Sequence, residues 1–115
     1  MTAPQPQAVS IGEGNGDRVS GLLLASAQPR AVYVLAHGAG AGMRHAFMAA
    51  VAHGLYERGV ASLRFQFPSM ERGSKRVDPP AVAQGTVRAA VAEAARRFPD
   101  AALFAGGKSF GDIAR

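Results

Sequence analysis

Cysteine is absent from the 115-residue sequence, which excludes a disulfide framework, a thiolate zinc site and a cysteine nucleophile. Histidine is scarce, and His37, His45 and His53 are spaced eight residues apart, too widely for a ligand pair on one helical turn. No metal or cofactor site is expected. Long apolar runs are also missing. Leu22-Leu23-Leu24-Ala25 and Ala31 to Ala36 fall far short of the roughly 20 residues that span a bilayer. Residues 1–7 contain no Lys or Arg and carry two prolines, so they lack the charged and apolar parts of a signal peptide. A cytoplasmic protein with no membrane partner is expected. Acidic residues are few, and thirteen Lys and Arg against eight Asp and Glu leave a net charge of +5. The basic residues are scattered, and only Arg72-Gly73-Ser74-Lys75-Arg76 gathers into a patch. An ordinary solvated surface is therefore expected, with no nucleic-acid partner. Arg64 is read as part of that solvated charge, with a preference for an acidic substrate, shared with the Arg72 to Arg76 loop, as the alternative.

What is present is a hydrophobic fraction of 48%, enough for the core of one domain. Residues 1–7 read as a flexible tail ahead of a domain over 8–115. Ala8 to Ile11 and Val19 to Ala25 read as strands joined by a turn at Gly12 to Asp17, where glycine and asparagine tolerate positive φ. Ala31 to Ala36 is continuously apolar, the pattern of a strand covered on both faces in a parallel sheet. A helix follows over Arg44 to Arg58, with Phe47, Val51 and Leu55 on an apolar stripe beside Met48 and Ala52, and Gly59 closing it. Val60 to Phe67 is a strand and Ser69 to Val77 a polar loop. Asp78-Pro79-Pro80 reads as a helix start, with the Asp78 carboxylate as N-cap. That helix runs to about Phe98 with Val87, Val91, Ala94 and Phe98 on one face, and Ala101 to Ala105 is a final strand. Strands alternating with helices predict an α/β fold: a three-layer sandwich around a mostly parallel sheet.

Ligands of such sheets sit at the carboxyl ends of the strands, and two of those ends are glycine-rich. Gly107-Lys108-Ser109-Phe110-Gly111 fits the pattern G-x-S-x-G. A serine on a sharp strand-to-helix turn projects its hydroxyl above the sheet, and small neighbours two residues to either side avoid a clash. The other end is His37-Gly38-Ala39-Gly40-Ala41-Gly42-Met43, whose backbone amides can approach a ligand closely. In an acyl-transfer enzyme one oxyanion-hole donor comes from the loop after the third strand. The second is the amide after the nucleophile, here Phe110. A rival reading takes Gly107-Lys108-Ser109 as the end of a phosphate-binding loop, although Ala102 stands where that motif needs its first glycine.

Together with Arg64-Phe65-Gln66-Phe67-Pro68 and Asp78-Pro79-Pro80, these segments resemble the α/β-hydrolase superfamily. They look most like the dienelactone-hydrolase-like enzymes and the predicted-hydrolase group of the testis-expressed type. The resemblance runs over about residues 18 to 111. It implies a serine hydrolase fold with Ser109 as the nucleophile, Gly107 and Gly111 as the elbow glycines, and an oxyanion hole from the amides of Gly38, Ala39 and Phe110. A small-molecule substrate of the parent protein goes with it.

Family members carry the triad acid and histidine downstream of the nucleophile, whereas here only Asp112-Ile113-Ala114-Arg115 follows Gly111. The sequence is therefore expected to be the N-terminal part of a longer hydrolase, with activity incomplete in this chain. His37 is expected to support the oxyanion loop, with a base role as the alternative; His45 and His53 read as surface residues. The strand Ala101 to Ala105 would be an apolar sheet edge open to self-association. Two other function classes stay open: a non-catalytic interaction module on a degenerate hydrolase fold, and a nucleotide binder.

Overall fold

Gly14 and Gly16 adopt φ values of 85° and 94°, a conformation that disfavours any residue with a Cβ. They let the chain reverse between β1 (Gln7–Gly12) and β2 (Arg18–Leu24), which pair antiparallel with Ile11 opposite Val19. The Glu13 amide closes the turn by donating to the Asp17 carbonyl at 3.0 Å. The computed structural model describes residues 4–14, 16–37, 42–74 and 76–107. After the hairpin come β3 (Ala31–Ala36), α1 (Ala46–Glu57), β4 (Val60–Phe65), α2 (Pro68–Glu71), α3 (Pro80–Arg97) and β5 (Ala102–Gly107). No described helix is long and apolar enough to cross a membrane.

The strands form one sheet in the order β1-β2-β4-β3-β5. β3 lies parallel to both β4 and β5, and β2 runs antiparallel to β1 and β4. The predicted α/β class with a mostly parallel sheet is thus present, with β2 set against the other strands. Side chains alternate between faces along a strand. Val32 and Val34, with Ala61, Leu63 and Phe65, share one apolar cluster with Ala83, Ala90 and Ala94 of α3. Burying a side chain such as Leu63 or Phe65 contributes about 1.5–3 kcal/mol. The alternate positions, Leu35 on β3 and Ser62 and Arg64 on β4, turn to the other face, where α1 packs on β4 and β2. Helices on both faces make three layers.

Several local expectations are corrected. The buried stripe of α1 is Met48 and Ala52, while Phe47 is 48% exposed. The axis of α1 lies over β4 and β2, which turns the 48/52 ridge inward. Gly59 does close α1, at φ 76° with its amide on the Tyr56 carbonyl. The expected polar loop after β4 begins instead with α2, whose first residue is Pro68, a position where no amide donor is needed. On α3 the buried positions are Ala83, Thr86, Ala90, Glu93 and Ala94, with Val87, Val91 and Phe98 only partly buried against them.

Asp78 is not the N-cap of α3. That position is Pro79, which has no side-chain cap bond. The buried Asp78 carboxylate turns back to α2, accepting from the Ser69 amide at 3.2 Å and the Ser69 hydroxyl at 2.8 Å. It therefore satisfies a free amide of the shorter helix and ties the residues after β4 to the start of α3. Asp78→Ala leaves Ser69 without these acceptors and should lower the unfolding free energy by about 1–3 kcal/mol. Asp78→Asn keeps an acceptor oxygen and should lose less, as urea denaturation of the two variants will check.

Candidate functional site

Parallel pairing brings the carboxyl ends of β3 and β5 together, and the register sets their last residues, Ala36 and Gly107, opposite one another. Adjacent strands are about 4.8 Å apart, so the two glycine-rich segments leave the sheet side by side. β4 and β5 flank β3 on opposite sides. The chain leaves β3 through α1 toward β4 and later returns through α3 to β5 on the far side. Such a reversal opens a crevice at the carboxyl ends of parallel strands.

Of the residues singled out in the sequence, Gly107 is the last residue of β5. Gly38, Ala39, Ser109, Phe110 and Gly111 lie outside the described residues. Gly106, read as the start of the turn, belongs to the strand. A Cβ there would stand 2.6 Å from the Tyr33 hydroxyl oxygen and 3.3 Å from a Tyr33 ring carbon, so a larger residue at this point would displace the Tyr33 side chain crossing from β3.

His37, directly after β3, is 2% exposed. Its Nε2 accepts the Phe67 amide at 3.1 Å, which requires that nitrogen to be unprotonated and directs its lone pair at the backbone. The ring also meets Phe67 edge-on, with centroids 4.9 Å apart and planes at 79°. His37 thus binds the start of the glycine-rich segment to the chain leaving β4. With Nε2 engaged, that nitrogen is not available as a base. The exposed His45 caps α1, its Nδ1 accepting from the Phe47 amide at 3.1 Å. His53 lies within α1 and is half-buried.

The far end of the segment is held as well. Gly42 has φ 80°, and a turn follows in which the His45 amide donates to its carbonyl. The Met43 amide donates to Gln66 Oε1 at 2.9 Å, and the Met43 carbonyl accepts from Arg64 Nη1 at 3.3 Å. Arg64 is not solvated charge: it is 2% exposed. Burial lowers its pKa from the usual guanidinium value, and repulsion from Arg44 adds to the shift. Sequence reading passed over Gln66 as a site residue. The signal was there, because Ser62, Arg64 and Gln66 alternate along β4 and its continuation and so place polar groups on one face.

Two open clefts among the described residues lie elsewhere. One of about 310 Å³ is bounded by Gln28, Pro29, Phe98 and Asp100, and one of about 390 Å³ by Glu13, Asp17, Arg72 and Asp78. Neither is lined by a residue of β3 or β5. Among the described residues, no group of three or more His, Asp or Glu could hold a metal ion.

The sequence pattern of the alpha/beta hydrolase domain matches residues 29–114. The chain belongs to the α/β hydrolase family. Its fold is similar to that of a dienelactone hydrolase from Anabaena variabilis, with a TM-score of 0.82 at 20% identity over 98% of this chain and 56% of that one. A cold-adapted esterase from an Arctic intertidal metagenomic library gives 0.78 at 18% identity, over 99% and 54%. An α/β serine hydrolase without a lid from Xanthomonas campestris gives 0.75 at 20%, over 96% and 53%. The chain thus spans about half the length of these solved relatives. No curated protein matches it in sequence.

Within this hydrolase domain the His37 ring is the acceptor that ties the exit of β3 to the exit of β4. His37→Ala leaves the buried Phe67 amide without that acceptor and opens a cavity beside the ring of Phe67. The expected loss is about 1–3 kcal/mol of unfolding free energy, measured by chemical denaturation. An unchanged midpoint would contradict the role given to the ring.

Proposed function

We propose that this domain is a serine-nucleophile hydrolase of ester-like or related acyl bonds of a small-molecule substrate. Ser109 is the nucleophile, and the amides of Gly38, Ala39 and Phe110 receive the developing oxyanion. The observation that carries the reading is the register of β3 and β5, with Ala36 opposite Gly107. It starts both glycine-rich segments from adjacent points at the switch in the sheet. The dienelactone hydrolase, the esterase and the serine hydrolase among the similar structures favour the same chemistry.

In this mechanism Ser109 Oγ attacks the acyl carbon as its proton passes to a base. The carbonyl oxygen takes up the negative charge and is stabilised by backbone N–H donors. Collapse expels the alcohol, and water then cleaves the acyl-enzyme. His37 Nε2 is committed to Phe67, and the sequence after Ser109 holds Asp112 and no histidine. Within this chain the proposal therefore assigns the nucleophile and the oxyanion donors, and no base. Loss of the base slows such enzymes by on the order of 10⁴ to 10⁶.

A second reading, an interaction module, draws on the outer strand β5, where Leu103 is 38% and Phe104 53% exposed. Nucleotide binding is disfavoured, because Leu103 to Gly106 are strand residues and do not form a loop that wraps phosphate.

A fluorophosphonate probe tests the enzyme reading. Labelling at Ser109 should be slow in buffer, rise when imidazole is added as an external base, and vanish in Ser109→Ala. Labelling that survives in Ser109→Ala, or no labelling even with imidazole, would overturn it.

A further inference from the structure

We propose that Gln66 and Arg64 are positioning residues that hold the main chain of Met43 and thereby fix the glycine-rich segment at its C-terminal end. The inference rests on the acyl-transfer reading above, which takes its oxyanion donors from that segment.

The Met43 peptide groups are gripped at both polar atoms: the N–H donates to Gln66 Oε1 at 2.9 Å and the carbonyl accepts from Arg64 Nη1 at 3.3 Å. One residue earlier, a Cβ at Gly42 would lie 3.4 Å from the same Gln66 oxygen and 3.7 Å from Met70 Cγ. The chain therefore descends directly onto these two side chains. At the other end of the segment, His37 Nε2 holds the Phe67 amide at 3.1 Å. Both ends are thus fastened to residues 64–67.

Those residues are themselves secured. The Gln66 amide donates to the Ser20 carbonyl at 2.9 Å. The Ser20 amide and hydroxyl donate to the Glu71 carboxylate at 3.0 and 2.8 Å. Ser69 is bound to Asp78. A support of this kind transmits position, because none of its members can shift without breaking another bond.

Arg64 supplies the second argument. Arg64 is 2% exposed, and among the described residues its Nε has no hydrogen-bond partner. Among the described residues no carboxylate forms an ion pair with it, and the nearby charge is that of Arg44. A well-packed apolar residue commonly serves fold stability as well as a buried charge, or better. Core stability does not account for an arginine here. Among the described residues its hydrogen bond goes to Met43, beside the glycine-rich segment that carries the proposed oxyanion donors. Donors must stand within about 2.7–3.1 Å of the developing oxygen, and a displacement of about 1 Å can cost on the order of 10²-fold in rate.

Gln66→Leu removes the acceptor at a half-buried position, and Gln66→Glu keeps it. Backbone amide exchange and imidazole-assisted fluorophosphonate labelling of the full chain read the two parts of the proposal. In Gln66→Leu, exchange at the Met43 amide should accelerate while exchange at Leu63 stays unchanged. The maximal labelling rate should fall on the order of 10- to 100-fold with unchanged probe affinity. Gln66→Glu should restore both. Unaltered Met43 exchange in Gln66→Leu would overturn the clamp itself. Faster exchange with an unchanged labelling rate at Ser109 would overturn its positioning role and leave the acyl-transfer reading standing. Failure of the wild-type chain to label would overturn that reading, and the role assigned to the clamp with it.

Discussion

A backbone amide that leaves a sheet into the protein interior must find an acceptor, and at Phe67 that acceptor is the His37 ring. The bond joins the exits of two adjacent parallel strands. It is sealed by aromatic edges, with His37 against Phe67 and Phe67 against Phe65 at 5.2 Å and 70°. Away from water such a bond is strong, and leaving it unmade is costly. The hydrophobic core beneath Phe65 therefore sets where β3 hands over to the glycine-rich segment. The same short stretch of chain supports Met43 through Gln66 and Arg64. Strands β3 and β5 carry the proposed chemistry, and the exit of β4 is the scaffold on which one side of it rests.

Much of this architecture was legible in the residues. The continuous apolar run Ala31 to Ala36 announced a strand buried on both faces, the glycines around residue 15 announced the hairpin, and Gly59 announced the end of α1. Each signal is local, set by periodicity or by a positive φ. The failures share a different cause. Asp78 has an ideal sequence context for capping α3, yet its carboxylate bonds Ser69, nine residues back. Local spacing does not reveal which of two nearby helix starts a carboxylate will reach. Phe47 fits the apolar stripe of α1 as well as Met48 does, and only the placement of α1 over β4 and β2 separates them.

Of the candidate site, the ends of β3 and β5 were legible for the same reason. Glycine-rich strand ends are visible as sequence, but the pairing of Ala36 with Gly107 depends on sheet order, which crosses from β4 over β3 to β5. Arg64 shows the limit most sharply. An arginine in a basic sequence reads as surface charge, and the alternation that turns it under α1 is shared with Ser62, a residue of no evident chemical interest. The Ser62 hydroxyl and Arg64 Nε are both buried without hydrogen-bond partners among the described residues. This face of β4 therefore departs from the apolar pairing that stabilises the opposite face, and the Met43 clamp lies at its carboxyl end.

The register between β3 and β5 also governs where the chain can tolerate changes in length. Only residues 98–101 separate the last turn of α3 from β5, and the Ala102 amide is already bonded to the Arg30 carbonyl at 3.3 Å. An extra residue there that slipped β5 by one position would exchange the faces of Leu103 and Phe104. It would also set a side chain where Gly106 passes beneath Tyr33, and carry Gly107 away from its place opposite Ala36. The β1–β2 hairpin is tied down at Ser20, which bonds Gln66 and Glu71, but at its tip a Cβ added to the exposed Gly14 or Gly16 would meet nothing within 4 Å. Insertions and deletions among homologous chains should therefore accumulate at that hairpin and be purged from the four residues before β5, drawing the outline of the site in gap positions as well as in residue identity.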